Sequence, residues 1–177
     1  NEDLELLKET TEAGIRVRIL TNSLGSTDSA IVHSVYRRYR QPIVETGAEL
    51  YEVRHDAEVK VLYDTPPVRA KHLGFHTKAI VIDRKQVYVG SSNLDPRSVY
   101  LNTEIGVVIN DPVLADELAR LFERDLTPEN SWRVTLDKKG KLKFKSSAGT
   151  QQKEPVRSFW QRVSANFYSL LPVEDQV

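Results

Sequence analysis

In His76-Thr77-Lys78-Ala79-Ile80-Val81-Ile82-Asp83, an imidazole and an ammonium stand two residues apart at the head of an uninterrupted apolar run. After six intervening residues, Gly90-Ser91-Ser92-Asn93 closes a second apolar run. Side chains two apart in an extended strand point to the same side. His76 and Lys78 therefore share a face at the start of a strand expected from Thr77 to Ile82, whereas Asp83 lies at an odd offset from both. Imidazole can attack phosphorus or pass a proton, and an ammonium beside it can hold phosphoryl oxygens as charge develops. Asn93 adds an amide that donates to a phosphoryl oxygen without adding charge, and Ser91 adds a hydroxyl. By position, Asp83 is read first as the residue that fixes the turn after the strand. The continuous Ile80-Val81-Ile82 predicts a strand covered on both faces.

Helices and strands alternate on either side of this stretch. Asp3 precedes apolar Leu4, Leu6 and Leu7, and Gly14 is a helix stop. Ile15, Val17 and Ile19 alternate with arginines as a strand. Asp28 or Ser29 can cap a helix carrying Ile31, Val35, Tyr36, Tyr39 and Ile43, with Pro42 expected to kink it or mark its restart. A strand over 48–53 and an irregular segment over 56–74 follow. Thr103 to Ile109 reads as another buried strand, and Asp111-Pro112 opens a helix through Leu126. Beyond Pro128, two short strands flank Lys138-Lys139-Gly140 as a hairpin, and 146–154 is polar and expected to be mobile. Val156, Phe159, Trp160, Val163, Phe167, Leu170 and Leu171 form one stripe of a final helix. The sum is an α/β chain with a mixed sheet and helices packed outside it.

The 177 residues suffice for a domain with a real core. The 25 basic and 25 acidic side chains balance overall but not along the chain. Residues 1–130 carry 16 basic and 21 acidic groups, a difference of −5, and residues 131–162 carry nine and two, a difference of +7. A net acidic surround to the motif disfavours nucleic acid, while the basic segment suits phosphates of lipid headgroups or a solvated hairpin. There is no cysteine, which excludes disulfides and thiolate metal sites. No apolar run approaches a membrane span. The opening Asn1-Glu2-Asp3, without an initiator methionine, suggests a piece of a longer chain. His33, His55 and His72 fit no motif and read as surface or helix histidines.

The pattern H-x-K-x4-D-x6-G-S-x-N is filled at every position, and it resembles the HKD signature of the phospholipase D superfamily. The continuation through Asp95-Pro96-Arg97-Ser98 and Asn102-Thr103-Glu104 is similar to the second motif of bacterial two-motif members, of which cardiolipin synthases are the closest kind. Ile15 to Asn22, Tyr36 to Arg40, Gly47 to Tyr51, Trp132 and Phe159 to Glu174 extend the likeness over most of the chain. The resemblance implies a phospholipase D-like mixed sheet flanked by helices. It divides the chain into a catalytic half over 1–130 and a basic hairpin, polar linker and amphipathic helix over 131–177.

It further implies His76, Lys78, Asn93, Glu104 and Asp83 as catalytic residues. Ser91, Lys78 and Asn93 would bind the phosphate, and no cofactor or metal is needed. Glu104 would orient His76 from a later strand; in any case a carboxylate beside an apolar strand needs a partner. The implied function is phosphatidyl transfer through a phosphohistidine, as the C-terminal half of a cardiolipin synthase-like enzyme; a homodimeric nuclease or phosphodiesterase is the alternative. His76 would be either nucleophile or general acid and base. The implied partners are a phosphatidylglycerol-like phospholipid and a second HKD half from the same parent chain or a homodimer. The implied location is peripheral, on the bacterial cytoplasmic membrane, with the final helix either docked on the core or lying in the interface.

Overall fold

A computed structural model describes residues 2–27, 29–64, 67, 72–93, 98 and 101–168. Helix α1 (Glu2–Glu12) ends at Gly14, whose φ of +83° suits a residue without a side chain. Strand β1 (Arg18–Asn22) leads into α2 (Ala30–Glu45), where the Ser29 hydroxyl accepts from the Val32 amide. Pro42 lies inside α2 and the helix runs on through it. Gly47, again with positive φ, releases the chain into β2 (Glu49–Val53), which pairs in parallel with β1. This is a strand–helix–strand unit of the kind parallel pairing requires.

The chain after residue 130 joins the same sheet. Strand β6 (Ser131–Leu136) runs antiparallel to β2, and β7 (Leu142–Ser146) and β8 (Gly149–Gln151) follow as successive hairpins. The order is β1-β2-β6-β7-β8. Leu50, Trp132, Val134 and Phe144 bury one face of this sheet against Tyr36, Ile43 and Val44 of α2. Val53, Ala57, Val59 and Leu73 form a second cluster with Leu20 and Phe75. The change in composition at residue 130 therefore marks no break in the core. Within 146–154, the Ala148 amide donates to Ser146 Oγ at 3.1 Å, and β8 pairs with β7.

The first sheet, with one parallel and three antiparallel pairings, is the mixed sheet expected from the sequence, and the motif strand lies in a second sheet beside it. Strands β3 (Lys78–Ile82), β4 (Gln86–Gly90) and β5 (Gly106–Ile109) form an antiparallel meander. Helix α4 (Pro112–Asp125) follows the short α3 (Lys60–Tyr63) in the chain order. It starts at Asp111, whose Oδ1 accepts from Val113 N at 2.8 Å and Leu114 N at 3.2 Å, and it packs on β3 and β4. Because a helix covers only one face, Ile80 and Ile82 remain 56% and 49% exposed. The expected double-sided burial fails at β3. It fails at β5 as well, an edge strand whose Val107 and Val108 are both exposed. Arg84 joins the two layers by pairing with Asp116 and Glu123, and Glu123 also meets Arg18 of β1.

Helix α5 (Phe159–Tyr168) packs on α2, as one of the two sequence readings has it, but with the opposite face inward. Ala165 is buried, and Phe159, Trp160, Val163 and Phe167 are turned outward. Leu170 and Leu171, assigned to the same stripe, lie outside the described residues.

Candidate active site

Register places the chemistry at one end of the second sheet. Lys78 opens β3 opposite Gly90, the last residue of β4, and Gly90 faces Gly106, the first of β5. Directly opposed residues share a face, so these three positions form a row across the meander. Each strand continues from that row into a polar segment: His76-Thr77, Ser91-Ser92-Asn93, and Glu104-Ile105.

His76 and Lys78 meet here. Lys78 Nζ lies 3.2 Å from both ring nitrogens of His76 and donates to the His76 carbonyl at 2.9 Å. His76 itself precedes the strand, yet the two-residue spacing still brings its ring beside the ammonium. Both side chains are open enough to meet a ligand.

Ser91 and Glu104 form a second pair. The Ser91 hydroxyl donates to Glu104 Oε2 in a short hydrogen bond and accepts from the Ile105 amide at 3.0 Å. Ser91 N in turn donates to the Ile105 carbonyl at 2.9 Å, which carries the β4–β5 pairing one residue past the strands. The hydroxyl expected to bind phosphate is thus engaged within the protein. The hydroxyls of Ser91 and then Ser98, the Asn102 amide and the charge of Lys78 hold the Glu104 carboxyl below its ordinary range. Glu104 stands with Ser91 and not in hydrogen-bond contact with His76, so the pairing that orients it is a serine.

Asn93 follows at the same end, exposed, with its backbone N–H donating to Ser98 Oγ at 3.1 Å. Asp83 is not brought to this cluster. It stands in the hairpin turn at the far end of β3, about 17 Å from Lys78 along a strand rising roughly 3.4 Å per residue. Its φ is +51° and that of Arg84 is +53°, and Lys85 N closes the turn on the Ile82 carbonyl at 2.9 Å. Asparagine and aspartate tolerate this left-handed conformation better than most residues.

Two residues at the site were not singled out in the sequence. Asn22, at the end of β1, clamps the approach to His76: Phe75 N donates to its Oδ1 at 2.8 Å, and its Nδ2 donates to the Phe75 carbonyl at 2.7 Å. Tyr88 lies opposite Ile80 on the Lys78 face, and its ring spreads over Gly90 and Gly106. A Cβ on Gly106 would come within 2.3 Å of Tyr88 Cε2, and one on Gly90 within 2.3 Å of the phenol oxygen. The glycine of the Gly-Ser motif thus makes room for an aromatic ring. An asparagine ending an apolar strand was the available signal for the first. The second needed the cross-strand register.

Of the histidines outside the motif, His33 is a buried helix residue, not a surface one. Its Nε2 lies 2.7 Å from Glu154 Oε1. No group of three His, Asp or Glu side chains suited to a metal ion occurs among the described residues.

The family model described as "Cardiolipin synthase, PLD-like domain" matches residues 1–126. Cardiolipin synthase C of Escherichia coli (strain K12) is 37% identical over 166 residues, covering 91% of this chain and 35% of that protein. An uncharacterized protein of Helicobacter pylori (strain J99) is 34% identical over 175 residues, covering 96% of this chain and 33% of that one. The chain thus spans about a third of the length of these relatives. The crystal structure of Nuc, a phospholipase D family member from Salmonella typhimurium, is similar in fold. Its TM-score is 0.50 at 21% identity, covering 72% of this chain and 70% of that one.

Proposed function

The chain belongs to the family of cardiolipin synthase, phospholipase D-like domains, and from that premise we propose that it is one catalytic half of a phosphatidyltransferase. The observation that carries the reading is the Lys78 ammonium set 3.2 Å from both nitrogens of the His76 imidazole at an open sheet end. Imidazole and ammonium side by side suit a phosphodiester: one group exchanges a proton or a bond with phosphorus while the other holds its oxygens.

In the first step an imidazole nitrogen attacks the phosphorus of a phosphatidylglycerol-like donor. The bond from phosphorus to the leaving glycerol oxygen breaks, and a second imidazole protonates that oxygen. In the second step the hydroxyl of an acceptor lipid gives its proton to the second imidazole and attacks phosphorus, releasing the first. His76 performs one of these two roles, and the other belongs to a second HKD half in the same parent chain or in a second copy. Lys78 and Asn93 hold the phosphoryl oxygens. Glu104, kept ionised by its serine partners, fixes Ser91 and with it the turn that presents Asn93. The substrate places the protein peripherally on a bacterial cytoplasmic membrane.

The test uses the full-length protein with phosphatidylglycerol vesicles and chelator, reading cardiolipin by mass spectrometry. The wild type is expected to form cardiolipin. His76→Ala should lower the rate by about 10²–10⁴-fold, and Lys78→Ala by roughly 10²–10³-fold. Unchanged transfer in His76→Ala would overturn the proposal, as would hydrolysis of DNA with no lipid product from the wild type.

A further inference from the structure

Helix α5 is amphipathic in the reverse of the usual sense. At 100° per residue, Phe159, Trp160, Val163 and Phe167 fall within an arc of about 100°, and they are 68%, 75%, 40% and 60% exposed. The inward side is small or polar. Ala165 is buried against α2, Gln161 Nε2 donates to the Leu24 carbonyl, Arg162 donates to the Glu154 carbonyl at 2.9 Å, and Arg37 donates to Asn166 Oδ1 at 2.8 Å. Three aromatic rings therefore face outward from a helix already anchored by its other side.

The charge around this face has one sign. Between residues 153 and 168 the cations are Lys153, Arg157 and Arg162, and the single carboxylate is Glu154. That carboxylate is withdrawn from solvent, its side chain 9% exposed and paired with His33 and Arg40. The lysines of β7 are not part of this surface. Lys143 and Lys145 alternate with Phe144, which faces α2, so they stand on the opposite side of the sheet. An exposed aromatic stripe on a segment that carries three cations and no exposed acid between residues 153 and 168 suits an anionic bilayer interface. No described helix is long and apolar enough to cross a membrane.

The helix is also tied to the site. Arg157 bonds the His72 ring and donates to the Thr27 carbonyl at 3.1 Å. Gln161 holds the same loop at Leu24, and Asn22, at the base of that loop, clamps Phe75 beside His76. We propose that Phe159, Trp160, Val163 and Phe167 of α5 dock on a bilayer containing anionic lipid, and that this docking holds the His76–Lys78 end of the second sheet at headgroup level. The second clause rests on the lipid reading of the site.

The test compares partition of the full-length protein onto phosphatidylcholine vesicles with and without phosphatidylglycerol. The fluorescence difference between the wild type and Trp160→Phe reports Trp160 alone. Partition should require phosphatidylglycerol, and the difference spectrum should move to the blue on binding. Phe159→Ser/Phe167→Ser should weaken partition about tenfold or more. Equal partition of the double variant and the wild type would overturn the proposal, as would equal binding to phosphatidylcholine alone. A Trp160 signal already blue and unmoved by vesicles would mean that protein covers the face, and would overturn it too. Should the double variant fail to fold, the Trp160 signal still decides. Docking through α5 without cardiolipin formation by the wild type would sink the proposed reaction, and with it the second clause, but spare the docking surface. Cardiolipin formation with partition independent of α5 would do the reverse.

Discussion

Asp83 shows how one motif letter can serve geometry. It sits at a left-handed φ beside Arg84, which shares that conformation, and the pair closes the β3–β4 hairpin that places Gly90 opposite Lys78. If Asp83 acts through the turn, Asp83→Asn should keep both fold and transfer rate, because asparagine adopts this conformation readily. Asp83→Val should cost about 1–2 kcal/mol of stability for forcing a β-branched residue there. Thermal melts and rate measurements on the two variants check this; equal loss of rate at unchanged stability would assign Asp83 to the chemistry instead. At this scale the sequence was informative wherever two residues act through spacing. His76 and Lys78 are brought together as the period of an extended chain requires. Glu104 finding Ser91 was not readable, since that contact depends on the pairing of β5 with β4.

At the scale of elements, α2 and the segment leading into α5 are joined through buried charge. Arg40 is 2% exposed, lies 2.6 Å from both Glu52 Oε1 and Glu154 Oε1, and stacks over the rings of Tyr36 and Phe144. Burial pushes the Glu154 carboxyl up, but the His33 hydrogen bond and the charges of Arg40 and Arg37 outweigh it, bringing it from 4.5 down to about 2. A carboxylate held below its unfolded value stabilises the fold above about pH 4.5 and loses that contribution as pH falls toward 2. The shift sets a ceiling of about 3 kcal/mol. Wild-type stability should therefore drop over that window, and Glu154→Gln should flatten the drop while costing about 3 kcal/mol or more at neutral pH by leaving Arg40 short of a partner. Denaturant melts at pH 7 and pH 3 test both effects. The elements themselves were legible from periodicity and caps, with α1, α2, α4 and the hairpins falling near their expected places. The facing of α5 was not. An apolar stripe predicts burial only if something stands there to bury it, and α2 presents the polar Arg37 to the other side of the helix, beside the His33 and Arg40 that hold Glu154.

For the whole molecule, the part beyond the family match is built into the core. Trp132, Val134 and Phe144 cover Leu50, and Phe144 carries the Arg40 guanidinium on its ring. A chain ending at residue 130 should therefore fail to fold cooperatively, because it exposes this cluster and leaves β2 as an open edge. Circular dichroism with thermal melting checks the outcome, and a sharp native-like transition in the truncated chain would refute it. The basic composition of 131–162 suited lipid phosphates or a solvated hairpin. Its alternating Trp132, Val134, Leu142 and Phe144 continue the sheet, with the lysines on the opposite face.

Local order and chemical identity were written in the chain, because strand alternation, helix caps and the spacing of His76 and Lys78 depend on bonds only a few residues long. Which strands share a sheet, which carboxylate meets which hydroxyl, and which face of α5 looks outward depend on contacts between residues from 13 to 137 apart in the chain. Those follow from where each buried charge and ring finds its partner, and no periodicity records it.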